Sequence, residues 1–70
     1  MRLGFNAENG RYGVLEMDLW KDSGLHCGEH LKVWKDNRWV DDRIEMSKGE
    51  WYLVKTGYKG SELEGLKVQI

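Results

Sequence analysis

The densest group of side chains that could do chemistry is the segment His26-Cys27-Gly28-Glu29-His30. Thiolate and imidazole groups both bind zinc, so His26, Cys27 and His30 are the candidate metal ligands. A closed zinc site needs four ligands, and the chain has no second cluster of Cys or His to complete one. We therefore expect no metal site and no cofactor, with Cys27 packed inward as a small hydrophobic residue.

Nucleophilic catalysis by Cys27 would require a neighbouring base. His26 is adjacent in sequence, and adjacent side chains of a strand point to opposite faces. His30 could approach the thiol only around the turn at Gly28. Because the sequence also offers no orienting third group, no oxyanion hole and no glycine-rich phosphate loop, we expect that the protein is not an enzyme.

A pair of tryptophans with basic neighbours is the candidate binding face. Its residues are Trp34, Trp39, Lys32, Arg38 and Arg43. Exposed aromatic rings beside Arg are typical of protein interaction hot spots, and the same rings could stack on nucleic-acid bases. A third interpretation is that the two rings only stabilise a hairpin as a cross-strand pair.

A hairpin turn is expected at Asp36-Asn37, because both residue types tolerate the positive φ angles of a two-residue loop. The predicted register pairs Lys35 with Arg38, Trp34 with Trp39, Val33 with Val40, Lys32 with Asp41, and Leu31 with Asp42. This register places an aromatic pair and an ion pair on one face of the hairpin. The opposite face is then the better candidate for the core.

That opposite face is apolar except at one position. Its expected core residues are Leu31, Val33, Val40, Ile44 and Met46. The carboxylate of Asp42 interrupts the row, so we expect a bulge or an edge position there.

Alternating apolar and polar residues predict further half-buried strands. The apolar members of these strands are Leu15, Met17 and Leu19, and later Leu66, Val68 and Ile70. The consecutive apolar residues within residues 49–55 predict a strand that is buried on both faces or lies centrally, and that pairs with the second arm of the hairpin. A brief helical turn is expected over residues 62–65, before the last strand.

Short strands separated by glycines predict an all-β fold for residues 1–70 as a single small domain. At this length the economical arrangement is a five- or six-stranded bent sheet or barrel, SH3-like or related. The segment Gly28–Val33 resembles the pattern that follows the diverging turn in SH3-like barrels. This resemblance concerns architecture and implies no ligand.

The charge balance argues against a dedicated nucleic-acid binder, since 11 Lys and Arg residues face 12 Asp and Glu residues. The charge balance therefore allows a nucleic-acid partner but does not favour one. With one cysteine, no signal-peptide pattern and no apolar run long enough to span a bilayer, we expect a cytoplasmic protein without membrane contact. Because so short a chain buries little surface, self-association as a homodimer would add stability.

Several short segments, in this order, resemble a family of short Firmicutes proteins of unknown function, many of them encoded on phages and mobile elements. The segments are Gly10-Arg11-Tyr12, Leu25-His26-Cys27-Gly28, Trp39-Val40, Arg43-Ile44-Glu45, Gly49-Glu50-Trp51-Tyr52-Leu53-Val54 and Gly65-Leu66-Lys67-Val68. The resemblance implies an accessory protein of a mobile element, a setting in which inhibitors of host systems are common. It implies no functional residue.

The sequence thus favours a non-enzymatic module that binds a protein partner through the tryptophan pair. The alternative is a nucleic-acid or nucleotide binder that uses the same aromatic and Arg side chains.

Overall fold

Seven strands in two antiparallel sheets form the fold in the computed structural model, which describes residues 1–70. The strands are β1 (Arg2–Asn6), β2 (Arg11–Glu16), β3 (Leu19–Asp22), β4 (His30–Lys35), β5 (Arg38–Ser47), β6 (Glu50–Leu53) and β7 (Val68–Gln69). The first sheet has the order β1-β2-β3, and the second has the order β6-β5-β4-β7. A short 3-10 helix at Gly60–Leu63 precedes β7.

The all-β class is confirmed, but the structure has seven strands where five or six were expected. The strands β3 and β7 have only four and two residues, so they carry little sequence signal. The sheets do not close into a barrel, since β3 pairs with β2 alone. No helix in the structure has the length and apolar character needed to cross a membrane.

Backbone hydrogen bonds join the two sheets where β1 runs beside the segment that leads into β7. The Leu3 N–H donates to the Leu66 carbonyl at 2.9 Å, and the Val68 N–H donates to the Met1 carbonyl at 2.9 Å. The strands of both sheets thereby surround one core. Its buried hydrophobic residues are Leu3, Tyr12, Val14, Leu25, Leu31, Val33, Ile44, Trp51, Leu53, Leu63 and Val68.

The β4–β5 hairpin has the register predicted from the sequence, from the Lys35–Arg38 pair to the Leu31–Asp42 pair. Asp36 and Asn37 form its turn with φ angles of 53° and 62°. Both angles lie in the left-handed region of a two-residue hairpin loop.

The expected core face of this hairpin is mostly confirmed. Leu31, Val33 and Ile44 are buried, and Val40 is half-buried. Met46 is 40% exposed, so its assignment to the core was wrong. Met46 lies one position from the end of β5, next to the turn into β6, at the edge of the core.

The expectation of a bulge or an edge position at Asp42 was also wrong. Asp42 is 2% exposed, its strand lies between β4 and β6, and the β4–β5 register shows no shift. Its carboxylate accepts hydrogen bonds from the backbone N–H groups of Arg43 (2.7 Å), Lys55 (2.7 Å) and Thr56 (3.0 Å), and from the Thr56 hydroxyl (2.7 Å). Burial raises the pKa of Asp42, but these hydrogen bonds outweigh it and hold the pKa below its ordinary value.

The half-buried strand expected through Leu15, Met17 and Leu19 is interrupted by a turn. Met17 and Asp18 have φ angles of 53° and 62° and separate β2 from β3. Met17 is therefore 91% exposed and Leu19 is 73% exposed.

The end of the chain also differs from the expected pattern of alternation. Val68 is buried, whereas Leu66 is half-buried and Ile70 is exposed. The strand here has only the two residues Val68–Gln69, and the preceding helical turn begins at Gly60.

Candidate binding surface

The outward side of the β4–β5 hairpin carries most of the residues singled out from the sequence. Because Leu31 and Val33 point into the core, the side chains that alternate with them point outward. The side chains on this side of β4 and β5 are exposed or half-buried. We call it the hairpin face, and its residues are Lys32, Trp34, Trp39, Asp41, Arg43 and Lys67.

Trp34 and Trp39 lie directly opposite each other at the centre of the hairpin face. Their ring centroids are 5.2 Å apart and the rings are inclined by 69°, an edge-to-face arrangement. Both side chains are half-buried. The pair therefore packs across the hairpin and still presents aromatic surface to solvent.

Lys67 belongs to this surface, although the sequence did not indicate it. Its backbone carbonyl accepts a hydrogen bond from the Trp34 N–H at 2.9 Å. Its ammonium nitrogen lies 4.9 Å from the centroid of the Trp34 ring and 5.8 Å from that of Trp39. These distances suit cation–π contacts with both rings. Lys67 could have been found only from the pairing of β7 with β4, which no local pattern predicts.

The other cations of the hairpin face are neutralised by adjacent carboxylates. The ammonium of Lys32 lies 3.2 Å from the carboxylate of Asp41, and Arg43 Nε lies 2.9 Å from Glu45 Oε2. Lys67 makes no ion pair. The surface is therefore polar and aromatic without a strong excess of positive charge.

Arg38 does not lie on the hairpin face. It pairs with Lys35, one position from the tryptophan pair, and alternation turns both side chains to the opposite side of the sheet. On that side, Lys35 Nζ donates to the Thr56 carbonyl at 2.9 Å and lies over the ring of Tyr58. The structure thus brings Lys32, Trp34, Trp39 and Arg43 together and leaves Arg38 apart.

The His26–His30 segment is a surface turn, in which His26, Cys27 and His30 are all exposed. The His26 N–H donates to Glu29 Oε1 at 2.9 Å, and the Glu29 N–H donates to the His26 carbonyl at 3.1 Å. The inward packing expected of Cys27 was wrong, because Leu25 supplies the buried side chain of this segment. No group of three or more His, Cys, Asp or Glu side chains is placed to hold a metal ion.

Comparison with known proteins gives a structural relative and a family. A search of proteins with curated descriptions found no match. The chain is similar to the crystal structure of a protein from Ruminococcus gnavus, with 40% sequence identity, a TM-score of 0.77, and coverage of 97% of this chain and 94% of that chain. Residues 1–70 match the family described as "Domain of unknown function (DUF5348)". The resemblance to a family of unknown function is thus confirmed, and the chain belongs to the DUF5348 family.

Proposed function

We propose that this domain is a non-enzymatic binding module that contacts a protein partner through the hairpin face. The observation that supports this proposal is the Trp34–Trp39 pair, which is half-buried and lies among exposed charged side chains on the outward side of the hairpin. Large aromatic side chains with an adjacent Arg are the residues that most often contribute strongly to protein–protein binding.

The charges and ring geometry favour protein over nucleic acid as the partner. A nucleic-acid surface gains affinity from cations that neutralise phosphates, but Lys32 and Arg43 are already paired with carboxylates. Base stacking needs an open ring face, whereas the two rings contact each other and Lys67. Such a surface suits a partner with its own mixture of apolar and charged groups.

Affinity capture from a nuclease-treated bacterial lysate tests the proposal. The baits are the wild type, the double variant Trp34→Thr/Trp39→Thr, and Arg38→Ala as a control on the opposite side of the hairpin. Thr is suitable because it favours strands while removing the rings. We expect the wild type and Arg38→Ala to retain one shared protein and the double variant to lose it, provided that circular dichroism shows all three baits folded.

Two results would contradict this proposal. Equal capture by the double variant would place the contact elsewhere on the molecule. Unfolding of both single variants, Trp34→Ala and Trp39→Ala, would assign the rings to the core instead.

Titration with a single-stranded oligonucleotide tests the alternative function. Phosphate contacts would give a steep loss of affinity as salt is raised, whereas a protein interface shows a weaker dependence. Tight, salt-sensitive binding that the Trp34→Thr/Trp39→Thr variant loses would replace protein binding with nucleic-acid binding.

The proposal also covers the fold type, the cellular compartment and the genetic setting of this domain. The hydrogen bonds between Leu3 and the Leu66 segment support a partly open, SH3-like barrel in which the two sheets form one curved surface. The single cysteine supports the cytoplasm as the compartment. The resemblance noted above supports an accessory role on a mobile element, in which the captured partner would belong to the host system that the protein inhibits.

A further inference from the structure

A groove of about 350 Å³ lies where the first sheet meets β6 and the start of the 3-10 helix. Its aromatic wall comes from Phe5 and Tyr12 of the first sheet and from Trp51 of β6, and Glu50 supplies a carboxylate. No Lys, Arg or His side chain lines the groove. We call it the aromatic groove. It shares no residue with the hairpin face.

The aromatic wall is held in a fixed geometry. The ring centroids of Phe5 and Tyr12 are 5.2 Å apart at an inclination of 63°. The Tyr12 hydroxyl donates to the Gly60 carbonyl at 3.1 Å, and Trp51 Nε1 donates to the Gly10 carbonyl at 2.9 Å. The polar ends of two rings are thus already satisfied by the protein. Phe5 remains 48% exposed and offers the accessible aromatic surface.

The carboxylate of Glu50 makes no ion pair within the protein. It lies against the backbone of Gly60, where a Cβ atom would come within 2.8 Å of Glu50 Oε2. The φ angle of Gly60 is +56°, so glycine suits both the backbone conformation and this close approach. Glu50 also lines a neighbouring groove together with Lys48 and Lys59, but neither lysine lines the aromatic groove or forms an ion pair with Glu50.

A second carboxylate makes this region more negative. The Phe5 N–H donates to Glu64 Oε2 at 2.8 Å. Burial, and to a lesser extent the charge of Glu64, raises the pKa of the Tyr12 hydroxyl. Aromatic rings and carboxylates together favour a cation as the occupant.

We infer that the aromatic groove binds the guanidinium group of an arginine side chain presented by a partner protein. Cations are attracted to the faces of aromatic rings. Guanidinium is planar and weakly hydrated, so it stacks on a ring while forming paired hydrogen bonds with a carboxylate. An ammonium group loses more hydration and lacks the planar fork, so lysine fits this combination of Phe5 and Glu50 less well.

Nuclear magnetic resonance titration with N-acetyl-arginine amide tests the inference. We expect saturable shifts at the Phe5 amide and the Trp51 indole N–H, with a dissociation constant on the order of millimolar for so small a probe. The citrulline analogue has nearly the same shape without the charge, and we expect it to bind at least about tenfold more weakly. The lysine analogue should also bind more weakly than the arginine probe.

Matched variants assign the binding to the carboxylate and the ring. We expect Glu50→Gln and Phe5→Leu each to weaken binding of the arginine probe by about tenfold. Glu16→Gln removes a carboxylate outside the groove and should leave the affinity unchanged. Dispersed amide spectra will show that each variant is folded.

Several results would overturn the inference. They are the absence of saturable shifts, equal affinity for the citrulline or lysine probe, and unchanged affinity in Glu50→Gln. The Trp34→Thr/Trp39→Thr variant should still bind the arginine probe, so loss of the hairpin-face partner and loss of the groove ligand are distinguishable.

Discussion

Asp42 and Met17 show where single residues depart from their local pattern. Asp42 lies in the buried row of β5 and binds the backbone of Lys55 and Thr56. Its burial could not be predicted, because its partners are distant in sequence and belong to a loop without a distinctive motif. The tryptophan pair was predictable, since both rings lie within one local hairpin.

Replacing Asp42 with Asn tests the role of the buried carboxylate. Asn has nearly the same shape, but its NH₂ group would face backbone N–H donors in place of an acceptor. We expect Asp42→Asn to lower the free energy of unfolding by about 2 kcal/mol, as measured by urea denaturation. Asp41→Asn is the control, because the exposed Lys32–Asp41 pair contributes at most about 1 kcal/mol. Equal losses in both variants would contradict this role.

The lowered pKa of Asp42 predicts a pH dependence of stability. A carboxylate whose pKa is lower in the folded state stabilises the protein above the pKa of the unfolded chain, about 3.9. That contribution is lost as the pH falls through the folded-state pKa. We expect the stability difference between the wild type and Asp42→Asn to be full at pH 6 and to shrink progressively below about pH 4. A difference that does not change with pH would refute the assignment.

Two hairpins with the same turn geometry explain why one element was predicted and the other was not. The Asp36-Asn37 and Met17-Asp18 turns both have φ angles of 53° and 62°. Asp and Asn are typical of such turns, whereas Met is not, so the alternation of apolar residues continues through Met17 and predicts one uninterrupted strand. Element boundaries therefore follow from sequence only where the turn residues match the turn.

A reciprocal pair of substitutions at the first position of each turn tests this account. Met17→Asn should raise the free energy of unfolding by about 0.5 to 1 kcal/mol, because Asn tolerates the left-handed region better. Asp36→Met should lower it by a similar amount. Both values come from thermal or urea unfolding monitored by circular dichroism. If the two changes in the free energy of unfolding have the opposite signs, contacts made by these side chains outweigh their preference for the turn conformation.

At the scale of the whole molecule, the all-β class was predictable and the sheet arrangement was not. Glycine spacing and alternation indicate short strands wherever they occur. The pairing of β1 with the segment before β7 depends on residues at opposite ends of the chain, such as Leu3 and Leu66. The aromatic groove could not be predicted for the same reason, because Phe5 and Tyr12 belong to the first sheet and Trp51 belongs to the second.

One shared core predicts a single cooperative unfolding transition. Trp20 reports on the first sheet, and Trp34, Trp39 and Trp51 report on the second. We expect the transitions followed by tryptophan fluorescence and by far-UV circular dichroism to coincide. Leu3→Ala, at a fully buried position, should shift both by the same amount and cost about 2 to 5 kcal/mol. Separate transitions would mean that each sheet folds on its own.

The hydrogen bonds between Leu3 and the Leu66 segment also have a kinetic consequence. The β1–β2 and β4–β5 hairpins close short loops and can form early, on a timescale of about microseconds. Joining the two sheets instead requires closure of a loop that contains most of the chain, and its entropy cost precedes the gain from the contacts. The rate-limiting step of folding is therefore expected to be the meeting of β1 with this distant segment, in the range of milliseconds to seconds that is typical of topologies with many non-local contacts.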